Sequence, residues 1–594
     1  MPARIHQFCW QSSDQHDTHF AKLAKFQGID VEQILFTYDS EVIGLLQRFN
    51  SSGDLKCVAI AARAIAQLIQ SEEGKGFIEI LSERVPFLFV YGFSPLRSHD
   101  EVLRYLTCGL LTGVGSLKKM RGTYRISKQS RDFCRQFAGL EFGPIDSESD
   151  CIFTQTRKDG PLAVHISIGE NPFLVELKRQ KTRAFLVANS IIANIDQPVE
   201  PGVSIKSWFS RLAPAMMFVR YVFQDKCWHN DRYYASLIID DPLLRERYGF
   251  LKYRDLLIKM DRNDFSSTIA FIPWNYRRSD ESIAELFKRR PDRLTLCVHG
   301  NDHSSHEFGS SDTGSLCWKA SRALERMKLH QKLTEVPFDD VMIFPQGVFS
   351  SASIQALKTT NYLGAVNSSL YSVDAIDSPI KLRDLIDVAV TRYHAFPLFI
   401  RRYPRDIAEL AFDFFLGRPA FLTEHQDDFR NGFDRLLDFV AQLKGLQPGI
   451  HWTGLGEAIR NTYLQRSVED HNVHARFFSR RVTIRNQSPE SKEYLLFKKQ
   501  SQSETIAGVW VDNLQVPYET EHGDLVLKMR IEANSASTIE VKYEDSFPVQ
   551  AERSASGKIK VFIRRHLSEL RDNYLSKNEG LWELAMKVRA MFKL

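Results

Sequence analysis

The 594-residue chain has no Cys-x-x-Cys pair; its eight cysteines, at 9, 57, 108, 134, 151, 227, 297 and 317, are scattered. That argues against both a disulfide scaffold and a cysteine zinc site, and fits a reducing compartment. Long apolar runs are missing too. The longest, such as Ala213 to Val219, are too short to span a bilayer, and the opening residues lack the apolar stretch of a secretory signal, so a cytoplasmic setting is expected. Charge of one sign is not in excess: 78 Lys and Arg against 73 Asp and Glu leave +5 over the chain, too little to point to nucleic acid. Internal repeats and low-complexity tracts are absent. What remains is an ordinary globular composition, 43% hydrophobic with 41 Phe, on a chain long enough for several hydrophobic cores.

Residues 1–210 alternate helical-period stretches, for example Ser40 to Ser71 with apolar spacing around Val58 to Ile69, with short apolar runs at Pro86 to Tyr91 and Ala184 to Ala188. This predicts an α/β layer domain. A loop at Gln197 to Gly202 and a helical segment from Trp208 to Phe223 mark a boundary. Across 230–460, strand-like runs recur with helical stretches between them: Ala235 to Ile239, Ser267 to Phe271, Leu294 to Val298, Val341 to Phe344, Leu363 to Val366, Val388 to Val390, Ala420 to Leu422 and Ile450 to Trp452. Such βα repetition predicts a distorted β/α barrel of seven or eight strands, with its functional groups on the loops after the strands. Residues 470–550 read as a small antiparallel β-sandwich. Residues 558–594 read as a helical tail carrying nine Lys or Arg against four Asp or Glu. That tail is suited either to an anionic membrane surface, as a peripheral contact, or to docking on its own protein or a partner subunit.

Several apolar runs of the expected barrel end abruptly in groups able to bind metal or move protons. Ile238-Ile239 ends in Asp240-Asp241, Leu296 to Val298 in His299-Gly300-Asn301-Asp302-His303, and Ala420 to Leu422 runs into Thr423-Glu424-His425. Two imidazoles four residues apart lie ~6 Å from each other across one turn and can converge on one ion. Asp241 is the natural oxygen donor to complete the set. Successive side chains at a strand end point different ways, so one carboxylate of the pair can ligate while its neighbour faces the attacking water.

The order Asp-Asp, His-x-x-x-His, a Pro-x-Gly loop and a strand ending at a lone His resembles the polysaccharide deacetylase family, carbohydrate esterases of family four. The resemblance implies a distorted β/α barrel and a divalent metal, most often zinc. It also implies amide hydrolysis on N-acetylated sugars of a polysaccharide or glycan precursor. Carried over, Asp240 is the base, Asp241, His299 and His303 hold the metal, and His425 is the acid. The third motif departs from the family: Ile343 stands where the family has an Arg that holds the base. Either another cation, Arg392 after Val388 to Val390, orients Asp240, or turnover is altered or lost. The latter alternative leaves a glycan-binding or scaffold protein that retains the barrel.

Around the site, Trp274 and Asn275 are expected to touch a sugar ring or to pack in the core. Gln346 and its neighbour Gly347 are expected to bring a backbone N–H near the oxyanion, and Arg392 and His394 to reach substrate. The stretch Gly109 to Ser116 lacks the Gly-Lys-Ser/Thr ending of a phosphate loop and reads as a plain turn. The first domain resembles glutamine-amidotransferase-like α/β domains, but Tyr105-Leu106-Thr107-Cys108-Gly109 is not the Gly-x-Cys-x-Gly elbow of a nucleophile. A homo-oligomer is compatible with all of this.

Overall fold

A computed structural model describes residues 3–36, 56–118, 121–156, 161–374, 379–469, 472–501, 505–544 and 555–573. The chain divides into two units, the first comprising 1–229 with 381–386 and 465–474, the second the remainder.

The first unit is built on a nine-stranded mixed sheet. Five of its strands are parallel, in the order Asp30–Phe36, Arg4–Trp10, Cys57–Ala61, Phe87–Tyr91 and Thr182–Val187. The sheet continues antiparallel through Asn171–Arg179, Leu162–Ile168, Tyr124–Ile126 and Glu141–Phe142. Cys57–Ala61 is buried throughout, as a central parallel strand must be when both its faces are covered. The helical period expected around Val58 to Ile69 is therefore half right: Cys57–Ala61 is strand and the helix is Ala62–Leu68. A short, wholly apolar run does not distinguish a buried strand from a buried helix by period alone. The rest of the helical stretch expected from Ser40 falls largely outside the described residues. Helix Phe209–Phe223, buried on nearly every side, belongs to this unit; Phe218 stacks on Phe89 at 4.7 Å between centroids. Leu111–Ser116, expected as a turn, is a strand paired antiparallel with Cys151–Gln155.

The second unit contains a curled, all-parallel sheet whose strands we number β1 (Tyr234–Asp240), β2 (Ser267–Phe271), β3 (Leu294–His299), β4 (Asp339–Ile343), β5 (Gly364–Asn367), β6 (Leu398–Ile400), β7 (Ala420–His425) and β8 (His451–Trp452). Their spatial order is β6-β5-β4-β3-β2-β1-β7, and β8 pairs with the first two residues of β1. All seven residues of β1 are buried, as in a parallel strand covered on both faces, and the apolar stretch Leu237 to Ile239 runs up to Asp240. The edge strands β6 and β7 are not paired with each other, and the sheet is a curled half-barrel; Arg402, two residues past β6, makes an isolated parallel bridge to Leu422 of β7. Seven of the eight expected runs are strands of this sheet. The exception is Val388 to Val390, of which only Val390 makes a bridge, to Leu398; the sheet strand is Leu398–Ile400, which the sequence reading did not select.

Beyond the curled sheet lie two antiparallel sets. Arg481–Asn486, Ser535–Tyr543, Ile506–Val511 and Leu514–Val516 form one, and Lys492–Lys499, Asp524–Ile531 and Glu519–Glu521 pair in the other. Burial alternates along Arg481–Asn486 and Lys492–Lys499, the signature of sheets with one face covered. The last described element is the helix Ala555–Asn573. Among the described residues no helix is long and apolar enough to cross a membrane.

Candidate active site

Parallel register delivers the polar residues to one rim. Asp240 closes β1 and pairs with His425, the last residue of β7, while His299 is the last residue of β3. The backbone turns sharply after Asp240: Asp241 has φ +82, a left-handed value costly for a side chain with a Cβ. This turn sends the two neighbouring carboxylates to different partners.

Asp241 Oδ1 stands 3.3 Å from His299 Nε2 and 3.2 Å from His303 Nε2. It is buried and accepts no hydrogen bond of acceptable geometry. These three ligand atoms lie within 4.8 Å of one another and could hold a metal ion between them. The opposite edge of the His299 ring supports this: Nδ1 lies 3.1 Å from the Ile343 carbonyl, which fixes the proton there and leaves the Nε2 lone pair for the cluster. Burial pulls His303 down to about 4, keeping it neutral as a ligand must be. Burial works the same way on His299, but Asp240 and Asp241 outweigh it and raise that imidazole. The two rings differ because His299 sits between both carboxylates, whereas His303 answers to Asp241 alone and is opposed by His299 and Arg565. Burial also acts to raise Asp241, yet His303, His299 and Arg565 hold it well below the usual carboxylate range.

The loop carrying the second imidazole is pinned by Glu307, a residue the sequence reading passed over. Its buried carboxylate accepts the backbone N–H groups of Asn301, Asp302 and His303 at 3.0 to 3.1 Å. Arg326 adds bonds to the Asn301 and Asp302 side chains at 2.7 and 2.6 Å. Gly300 is required at the start of the loop: φ is +62, and a Cβ would lie 2.4 Å from Pro345 Cγ and 2.6 Å from Glu307 Oε2.

Asp240 has a different partner. The Arg401 guanidinium donates to both its oxygens, at 2.7 and 2.8 Å, and both side chains are almost fully buried. Burial would raise this carboxyl, but Arg401 and His299 bring it below its ordinary value. The role expected of Arg392 thus falls to Arg401, because the strand preceding Arg401, not Val388 to Val390, is the one in the sheet. The missed signal was of the same kind as the others: Pro397 to Ile400 is an apolar run that stops at Arg401-Arg402. Across from Arg401, His425 Nε2 lies 3.7 Å from Asp240 Oδ2, its ring stacked on Tyr403 and its backbone N–H bonded to Asp428.

The remaining expected residues are spread out. Trp274 is half-buried, with its amide bonded to the Asn301 carbonyl and its ring beside Arg278, Phe562 and His566. Asn275 is fully buried and accepts from Arg278 at 3.3 Å, so its side chain serves the loop and not a solvent-borne sugar. Gln346 is exposed and accepts the His306 N–H, while the Gly347 amide is taken up by the Phe344 carbonyl and does not point to an oxyanion. Arg392 donates to the Pro379 carbonyl; His394 lies 3.3 Å from Ser351 Oγ and its carbonyl accepts from Lys358.

No family model matches the chain, and no curated protein matches it. Solved structures do. A mutant of a CE4 family pseudoenzyme with restored enzymatic activity matches at 14% identity over 39% of this chain and 68% of its own, with a TM-score of 0.25. The wild-type pseudoenzyme, from Bacillus anthracis, matches at 11% over 38% and 64%, with a TM-score of 0.23. A family 4 carbohydrate esterase from Streptomyces lividans, in complex with acetate, matches at 12% over 37% and 98%, with a TM-score of 0.22. These likenesses cover under two-fifths of the chain at identities and scores too low to bear on activity.

Proposed function

We propose that the second unit is a metal-dependent hydrolase that removes acetyl groups from N-acetylated sugars of a polysaccharide or glycan precursor. One observation carries the reading: two adjacent carboxylates with separate partners, Asp241 among two imidazoles and Asp240 in the grip of Arg401 with His425 beyond it. One carboxylate oxygen and two imidazole nitrogens suit zinc. When bound there, a divalent ion supplies Lewis acidity to an amide carbonyl and a more acidic water.

The protein's own groups do the rest. Asp240, kept ionised by Arg401, takes a proton from the attacking water. His425, more exposed than the others and reaching the same carboxylate, gives a proton to the departing amine, leaving acetate and a free amino sugar. Trp274 offers an indole face to a sugar ring. Arg401 also weakens the alternative of a barrel that keeps its shape without turnover, since the missing motif cation was the reason to entertain it. For the first unit we infer a binding or assembly role of the amidotransferase-like class without catalysis, because Cys108 follows the helix Arg97–Leu106 rather than ending a strand. A setting inside the cell would supply soluble or lipid-linked glycan precursors as substrate.

The test is acetate release from N-acetylated amino-sugar oligomers by the zinc-loaded protein, with elemental analysis in parallel. Release abolished in Asp240→Asn with the ion retained supports the reading. A protein that binds ion and oligomer yet releases no acetate is the glycan-binding module instead.

A further inference from the structure

The helix Ala555–Asn573 has its polarity reversed. A helix packed on a globular unit ordinarily turns its apolar stripe inward. Here the residues facing the protein are Arg565, Glu569 and Asp572, at 3%, 8% and 4% exposure, while Ile559, Ile563, Leu567 and Leu570 are exposed at 60%, 52%, 59% and 47%, and Phe562, at 55%, is exposed on one side and touches Trp274 on the other.

The inward face sits on the rim that carries the site. Glu569 receives both terminal nitrogens of Arg278, on the loop after β2. Asp572 accepts the Tyr248 hydroxyl at 3.0 Å and Asn573 the Gly249 amide at 2.9 Å, both on the segment after β1. His566 and Phe562 meet the Trp274 ring edge-on, at 6.0 and 6.2 Å between centroids. Arg565 is close enough for its charge to act on Asp241 and His303. The helix therefore lies against the indole and against the loops after β1 and β2 that border the Asp241, His299 and His303 cluster.

The outward face has the chemistry of a lipid interface. Both acidic residues of the helix are engaged on the inner side, whereas Arg564 and Arg571 stand at the outer face. Arg564 and Arg571 border a shallow cavity of ≈ 420 Å³ whose other lining residues are Ile563, Leu567 and Ser568; Arg571 also donates to Asp572 at 2.7 Å. An apolar floor between two guanidinium groups suits an acyl chain under a phosphate headgroup. In sequence, residues 558–594 carry nine Lys or Arg against four Asp or Glu.

We propose that this helix is a lid opened by anionic phospholipid membranes: its outer face enters the lipid interface, its contacts to Arg278, Tyr248 and Gly249 are given up, and the site is uncovered where lipid-linked sugars are found. The proposal rests on the metal-site reading for its purpose, but the lid is measurable without it. Flotation of the full chain with phosphatidylcholine vesicles, with and without phosphatidylglycerol, reads binding. Hydrogen exchange of the segment Arg247 to Lys252, whose Gly249 amide Asn573 holds, reads opening.

The expected result is flotation only with phosphatidylglycerol, lost in Ile563→Ser/Leu567→Ser, and a severalfold rise in exchange at Gly249 on binding. Glu569→Ala should show the same rise without vesicles. Flotation indifferent to phosphatidylglycerol or to the Ile563 and Leu567 substitutions overturns the proposal, as does membrane binding with Gly249 still protected. Uptake of cobalt by the apoprotein, read by visible absorbance, separates the two readings. Uptake accelerated by vesicles supports the lid, whereas no cobalt bound even in Glu569→Ala overturns the metal site and leaves the exchange result standing.

Discussion

Arg401→Met isolates the clamp on Asp240. The substitution keeps most of the side-chain volume and removes the guanidinium charge, leaving a carboxylate with 3% side-chain exposure beside His299 and His425 alone of its former partners. Breaking a buried pair by removing one partner costs ~3–5 kcal/mol, because an uncompensated charge is left behind. Asp240 can limit that loss by taking up a proton. Starting from its ordinary value of 3.8, neutralising it at pH 7 spans a little over three pH units, ~4 kcal/mol at ~1.36 kcal/mol per unit. At pH 5 the same escape costs only ~1.6 kcal/mol. In the wild-type protein Arg401 depresses this group, so its contribution to stability is present above its ordinary value and lost only as pH falls below it. In the variant burial raises the group, and stability is lost as pH rises. The loss caused by Arg401→Met should therefore be ~4 kcal/mol at pH 7 and fall to ~2 kcal/mol or less at pH 5. Native-state hydrogen exchange of β1 in metal-free protein measures it locally, which a chain of several domains requires. Asp240→Asn/Arg401→Met should erase the pH dependence. A loss equal at the two pH values, or below ~1 kcal/mol at pH 7, would refute the reasoning.

Three further outcomes are expected. Asp241→Ala should abolish bound zinc by elemental analysis, while Asp240→Asn should retain it and lose ~10²–10⁴-fold in acetate release. Glu307→Gln leaves one of its oxygens as a donor facing N–H groups, so zinc affinity should fall ~10–100-fold in a competition titration with a chelator, the fold and the three ligands being otherwise intact. Gly300→Ala forces a Cβ against Pro345 and Glu307 at positive φ and should cost ~1–3 kcal/mol together with zinc affinity, measured by exchange at β3 and by the same titration.

Strand ends were legible where a buried strand stops at a polar residue, because a parallel strand covered on both faces cannot hide charge in its middle. That rule picked out β1, β3 and β7 and, with them, Asp240, Asp241, His299, His303 and His425. It failed between residues 386 and 402, where two short apolar runs compete. Val388-Ala389-Val390 is as strand-like in sequence as Leu398-Phe399-Ile400, and Val390 bridges to Leu398. Only pairing with β5 distinguishes them, and that is a long-range fact. Choosing the wrong run moved the expected cation nine positions, from Arg401 to Arg392. A similar ambiguity, between buried strand and buried helix, hid Cys57–Ala61.

Glu307 and the helix Ala555–Asn573 were illegible for a different reason. Glu307 matters through three backbone N–H groups, which every sequence has and none displays; only the left-handed turn at Gly300 aims them at one carboxylate. The helix has an evident apolar stripe, and the stripe alone argues for packing it inward. What reverses it is a set of partners far away in sequence: Arg278 for Glu569, and Tyr248 and Gly249 for Asp572 and Asn573. Hydrophobic periodicity gives the phase of a helix but not which side meets the protein, and here buried polar contacts made nearly 300 residues or more away decide it. The same contacts leave five large apolar side chains exposed on a helix that lies against the rim of the candidate site. An arrangement that exposes so much apolar surface is stable only while those few polar links persist, so a surface able to bury the stripe competes directly with the closed state.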